Sequence, residues 1–277
     1  MYKELNLEIK QPQIVLDRVI YSNPPSIWER SSVNLEMFIA RPEYSKHGRD
    51  KVPVIVWMEG GAWTNYTPMY RLADLSYIVK AGYALVSVGY TTTRDAIWPQ
   101  YLIDVKNAIR YLRAHDELNL DTDHIIVGGE SAGAHLALMA GLTIGEDKYL
   151  GTEYKELNDS VNGVIGFYTP ADLTLWEQHP EFVYNGLCGE DDKFTERLHD
   201  FNPFNHIHKG IPPILLLHGN QDPLVDYHSA LSFYEKSKDY TDVDMYLIDG
   251  ARHADVHFSQ EEVQKIVLDF IKKNIIK

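Results

Sequence analysis

The chain alternates between short apolar runs and longer segments that carry an apolar residue every three or four positions. Residues 34–40 alternate apolar and polar side chains, the pattern of a half-buried strand. Residues 52–58 are almost wholly apolar, as in a strand covered on both faces. The spacing over 70–80 predicts a helix, and 83–88 a strand. Over 101–112, Leu102, Val105, Ala108, Ile109 and Leu112 share one helical face. Residues 125–127 predict a strand and 134–140 a helix; 161–168, 214–217 and 244–248 predict three further strands. The last helix begins near Ser259, which stands at capping-box spacing from Glu262. Strands and helices in alternation predict an α/β chain, with a mostly parallel central sheet and helices on both faces.

One stretch breaks the alternation. From Pro170 to Pro212 no strand pattern occurs, and the segment is aromatic and polar, with Trp176, His179, Phe182, Tyr184, Phe194, Phe201 and Phe204. An excursion of this kind leaves the C-terminal edge of the strands, where sheet proteins bind ligands. We read 170–212 as a small lid or pocket wall on one domain spanning 1–277. A helical packing insertion is the alternative.

Composition narrows the function. The 277 residues, 44% of them hydrophobic, are enough for a sizeable core. A net charge of −14 argues against a nucleic-acid partner and against an anionic membrane surface, both of which favour a basic face. Cys188 is the lone cysteine, so no internal disulfide forms and a reducing compartment is comfortable. The N-terminus lacks the apolar run of a signal peptide, and no stretch approaches the about 18 apolar residues of a membrane span. The expected location is cytoplasmic, with a homo-oligomer left open.

The chemistry centres on Gly129-Glu130-Ser131-Ala132-Gly133. This is G-x-S-x-G, with a β-branched run before it and a strong helix former after it. A strand that turns sharply into a helix at a serine lifts the hydroxyl above the sheet and aims the helix N-terminus beside it. Small neighbours allow the sharp turn and the close approach of strand and helix. A serine is a weak nucleophile until a base takes its proton, and the base needs an orienting acid. Asp222 follows the strand at 214–217, and His253 follows the strand at 244–248, in the order Ser, Asp, His expected of such a sheet. Asp226 is a rival acid and His257 a rival base. Asp249 reads as a turn residue, His218 as a structural histidine bonding a loop backbone, and His135 as packing. Met58-Glu59-Gly60-Gly61-Ala62-Trp63, after the strand at 52–58, offers backbone N–H groups for an oxyanion. Gly61, Ala62 and Ala132 are the candidate donors.

These motifs resemble the α/β-hydrolases, and within them the carboxylesterases and acetylesterases of the hormone-sensitive-lipase-like and small carbohydrate-esterase groups. The resemblance runs from about Pro53 to His253. It includes Gly60-Gly61-Ala62-Trp63, the 82–90 segment, Trp98-Pro99-Gln100 with Asp104-Val105-Lys106, the elbow through His135, and Pro212-Pro213 through His218-Gly219 to Asp222-Pro223-Leu224-Val225. It implies a sheet of about eight strands, a small-molecule ester substrate, an acyl-enzyme mechanism, and neither metal nor organic cofactor. One position departs from the pattern: where the family usually has a histidine before the Gly-Gly pair, this chain has Glu59. A structural replacement, bonding to a neighbouring backbone N–H, and contact with the substrate are the readings of Glu59. Trp63, Tyr66, Trp98, Tyr168, Trp176 and Tyr184 are candidate pocket aromatics, with Glu59, Trp63, Tyr168 and Trp176 the substrate-binding candidates. An acetylated or feruloylated sugar would suit such a pocket. An amidase or peptidase of the aryl-formamidase or prolyl-peptidase type, and a non-catalytic ligand-binding protein, are the competing readings.

Overall fold

The apolar runs of the sequence become the middle of one eight-stranded sheet. In the computed structural model, which describes residues 3–4, 8, 10–26, 32–46, 48, 50–175 and 186–275, the strands are β1 (Ile14–Ser22), β2 (Leu35–Pro42), β3 (Val52–Met58), β4 (Ala84–Val88), β5 (Leu120–Glu130), β6 (Gly163–Phe167), β7 (Ile214–Gly219) and β8 (Val243–Ile248). Their spatial order is β1-β2-β4-β3-β5-β6-β7-β8. β2 pairs antiparallel with β1 and β4, and the remaining pairings are parallel.

Successive residues of the central strands face opposite sides and enter two separate cores. Val54, Val56, Val127, Val164 and Leu216 pack under α2 (Gln100–Ala114), α3 (Ala132–Leu142) and α5 (Tyr227–Ser237). Ile55, Trp57, Ile126, Ile165 and Leu217 pack under α1 (Ser76–Lys80) and α6 (Glu261–Ile275). Each fully buried aliphatic side chain contributes about 1.5–3 kcal/mol relative to exposure. That is why parallel strands covered on both faces read as unbroken apolar runs. No helix among the described residues is long and apolar enough to cross a membrane.

Two local expectations are revised, and one strand appears that was not expected. The helix expected over 70–80 is only Ser76–Lys80. In the turns before it, the Arg71 backbone N–H donates to the Glu59 carboxyl (3.0 Å). Ser259 does not cap α6: it closes a 3-10 turn (Val256–Ser259), and the helix starts two residues later at Glu261. The edge strand β1 was not legible, because Ile14, Leu16 and Ile20 lie on its exposed side. Among the described residues, the 170–212 excursion holds no strand, and contains α4 (Phe194–Phe201) between two 3-10 turns. Trp176, His179, Phe182 and Tyr184 lie outside the described residues.

The joint between β5, β3 and α3 leaves no room for side chains. A Cβ on Gly133 would sit 2.1 Å from the Met58 carbonyl oxygen, and one on Gly129 would sit 2.5 Å from the Gly133 backbone. Backbone cannot swing aside as a flexible side chain can. Gly133→Ala is therefore expected to lower stability by at least about 3 kcal/mol. Denaturant unfolding checks this; a loss under about 0.5 kcal/mol would show that the joint is looser than described.

Candidate active site

The C-terminal ends of β3, β5, β6, β7 and β8 stand level, since Met58 pairs with Gly129, Glu130 with Phe167, Phe167 with Leu217, and Gly219 with Ile248. The loops leaving these ends converge at one edge of the sheet, the usual place for a ligand site in a parallel sheet. At the centre Ser131 links β5 to α3 with φ 50° and ψ −121°. A residue with a side chain avoids this region, at a cost of roughly 1–3 kcal/mol. The turn is held by Ser131 N–H donating to the Phe167 carbonyl (3.0 Å) and the Ser131 carbonyl accepting from His135 N–H (3.0 Å).

Three of the residues singled out in the sequence meet here. Ser131 Oγ lies 3.1 Å from His253 Nε2, and His253 Nδ1 lies 2.7 Å from Asp222 Oδ2. The geometry assigns the tautomer: a carboxylate only accepts, so Nδ1 carries the proton and Nε2 offers its lone pair to the serine hydroxyl. The Asp222 side chain is wholly buried. Its Oδ1 accepts backbone N–H groups from Leu224 (2.8 Å) and Val225 (2.9 Å). Burial alone would raise its pKa; hydrogen bonds from His218, His253 and those N–H groups prevail and hold it well below the usual carboxylate range. His218, also buried, approaches the Val225 carbonyl (2.9 Å) and Asp222 Oδ2 (3.4 Å), so it anchors the acid loop. The rival Asp226 is instead the N-cap of α5, accepting from His228 N–H (2.9 Å). Asp249 accepts from the Asn220 side chain (2.8 Å) within the turn, and His257 pairs with Asp255 (3.0 Å).

A cavity of about 420 Å³ opens over the serine. Its polar wall is Ser131, His253, Glu130 and the Gly60–Gly61–Ala62 turn; its apolar wall includes Trp63, Tyr168, Pro170, Leu224 and Val225. Gly61, Ala62 and Trp63 all have positive φ, the last two near 50–57° despite carrying side chains. Ala132 is the first residue of α3, so its N–H is among those that a helix leaves without an internal acceptor. The positive end of the α3 dipole thus points at the serine.

Of the four substrate-binding candidates, Trp63 and Tyr168 line the cavity, while Trp176 lies outside the described residues. Glu59 is 1% exposed and not part of the lining; its Oε1 accepts the Arg71 N–H (3.0 Å). Tyr66 and Trp98 belong to the packing: Tyr66 stacks on Tyr90 at 4.5 Å, and Trp98 Nε1 donates to Asp200 (2.8 Å). His135 is buried between Trp63 and Phe201, donating to the Phe201 carbonyl (2.7 Å), and burial pushes its pKa down to about 3.

The sequence reading passed over Glu130 and Arg71. Glu130 Oε2 accepts from Arg71 Nε (2.8 Å) and from the Tyr168 hydroxyl, and its Oε1 faces Gly60 N–H at 3.4 Å. Tyr168 in turn sets its ring edge against His253, with centroids 4.6 Å apart. An acidic residue inside the elbow motif was the one available signal.

The family model described as BD-FAE matches residues 41–237, well over half of the chain. The chain belongs to the BD-FAE family. Its eight-stranded, mostly parallel sheet with helices on both faces is consistent with the α/β-hydrolase fold. The chain is 29% identical to Esterase LipC of Mycobacterium tuberculosis over 234 residues, which is 79% of this chain and 54% of LipC. It spans about half the length of the first curated relatives it matches. Among solved structures it is similar to a truncated carbohydrate esterase from gut microbiota (TM-score 0.77, 24% identity, 93% of this chain and 98% of that one). It is also similar to the propionate-bound esterase Est2 of Thermogutta terrifontis (TM-score 0.76, 22% identity, 93% of each chain). At these identities the structural likeness speaks for the fold.

Proposed function

We propose that this chain is a serine carboxylesterase acting on short-chain or aromatic acyl esters, acetyl and feruloyl groups on carbohydrates included, through an acyl-enzyme. The observation that carries the reading is the line from Ser131 Oγ through His253 to Asp222, at 3.1 and 2.7 Å, opening into a largely apolar cavity. Ser131 Oγ attacks the ester carbonyl while His253 Nε2 takes its proton. Asp222 keeps Nδ1 protonated and stabilises the imidazolium. The N–H groups of Gly61, Ala62 and Ala132 meet the oxyanion. His253 returns the proton to the departing alcohol; water, deprotonated by the same histidine, then releases the acid.

Names of similar proteins support the ester reading and a small acyl group: an esterase, a carbohydrate esterase and an esterase with propionate bound. Pro170, where the 170–212 excursion leaves the sheet, lines the cavity, which supports reading that segment as a pocket wall. The cavity volume suits a small ester.

The test is hydrolysis of p-nitrophenyl esters from acetate to octanoate beside a matched anilide. Turnover highest on the shortest chains, with esters exceeding the anilide, is expected. Faster anilide cleavage would favour the amidase reading, and tight retention of ligand without turnover the binding-protein reading; either result contradicts the proposal.

A further inference from the structure

Two carboxyl groups meet behind the Gly60–Gly61–Ala62 turn, where the charge of a reaction would develop. Glu59 leaves the end of β3 and Glu130 ends β5; they are 1% and 6% exposed. Glu130 is well supplied with donors: Arg71 Nε, the Tyr168 hydroxyl and, more distantly, Gly60 N–H. Glu59 Oε1 has the Arg71 backbone N–H, but among the described residues its buried Oε2 meets no donor, and the Glu130 carboxyl is the neighbouring group that could accept a hydrogen from it. Ionised, Glu59 would leave a buried oxygen unsatisfied and set two negative charges side by side. Protonated, it has one O–H to give, and Glu130 is the acceptor it faces.

We propose that Glu59 is a positioning residue: as a neutral acid it donates to Glu130, clasps the ends of β3 and β5 together and sets the oxyanion turn, and its ionisation slackens that turn and slows ester hydrolysis. The kinetic half of this inference rests on the esterase reading. The surrounding charged and titratable groups come from several elements. Arg71, with Asp74 on its guanidinium (3.0 Å), comes from the turns before α1. Tyr90, after β4, donates its hydroxyl to the Glu59 carbonyl (2.8 Å). Tyr168 follows β6, and His253, after β8, meets the Tyr168 ring. Burial first, then the charge of Glu130, push the Glu59 carboxyl up to about 8, against the opposing pull of Arg71. A carboxylate appearing there would place negative charge beside the donors meant for an oxyanion.

The test compares the parent with Glu59→Gln, whose amide keeps a donor for Glu130 and an acceptor for Arg71 N–H but cannot ionise. At pH 7 its kcat should lie within about threefold of the parent, because one neutral donor replaces another. The parent kcat should fall as pH rises through about 8 while the variant's does not, with KM similar in both. Glu59→Ala, which removes the donor, should lower kcat across the whole range. An alkaline limb shared by parent and Glu59→Gln overturns the proposal.

Thermal unfolding gives a second readout that needs no substrate. The folded pKa of Glu59 lies above its ordinary value of 4.5, so the folded parent binds more protons than the unfolded chain between 4.5 and about 8. The parent must therefore lose stability relative to Glu59→Gln across that window. The Tm gap should widen in the variant's favour by roughly 5 °C between pH 5 and pH 8.5. A constant gap overturns the protonated state of Glu59. Absence of turnover in the parent overturns the esterase reading and the kinetic half, and leaves the Tm comparison to decide the protonation.

Discussion

Ser131→Ala is expected to lower kcat for ester hydrolysis by about a millionfold while leaving the fold intact, since a nucleophile, base and acid that act as a unit fail together when the nucleophile is removed. Among the described residues the hydroxyl has one hydrogen bond, to His253 Nε2 at 3.1 Å. Its loss should cost at most about 1 kcal/mol of stability. The strained backbone at φ 50° is held by the Ser131 N–H and carbonyl, not by the side chain, and alanine keeps both bonds. KM should change little, because the apolar cavity wall is untouched. Parallel steady-state kinetics and thermal unfolding check this. A variant retaining more than a hundredth of parental kcat would remove Ser131 from the chemistry.

Asp222→Asn should lower kcat by roughly 10⁴. Asp222 Oδ1 receives two backbone N–H groups, so the variant's amide oxygen takes that place and its NH₂ turns toward His253 and His218. His253 Nδ1 must then accept, which moves its proton to Nε2 and leaves no lone pair for the serine. The NH₂ also meets His218 Nε2–H, a donor against a donor, so stability falls too. Asp222 titrates below its ordinary value of 3.8 when folded, so its contribution is present at neutral pH and is lost as pH falls from that value through the folded pKa. The stability gap between parent and variant should accordingly close in acid. A kcat within tenfold of the parent would transfer the orienting role to another acid.

The elbow was legible because its constraints are local: a β-branched run, small residues and a helix former each leave a mark within a dozen positions. Asp222 and His253 could be named because a parallel sheet brings the C-terminal ends of β7 and β8 to the same edge as that of β5, so a strand end followed by an acid or a histidine predicts proximity. Asp226 could be set aside only by seeing it cap α5. The Glu59–Glu130–Arg71–Tyr168 cluster was not legible as a unit. Its members come from four different loops and strand ends, and no periodicity links Arg71 to Glu130 before the chain is folded. The helix expected over 70–80 overran because residues 70–75 fold as turns while keeping their apolar residues at helical spacing. β1 escaped notice because Ile14, Leu16 and Ile20 point outward while Val19 and Tyr21 face the core, so apolar residues on both sides hide the alternation that pattern reading relies on.

The most direct test of Ser131 as the nucleophile is acid-quenched peptide mass spectrometry during turnover of p-nitrophenyl acetate. The account predicts a transient acetyl group on the peptide carrying Ser131, absent from Ser131→Ala. Turnover without any adduct, or an acetyl group carried by a different residue, would contradict it.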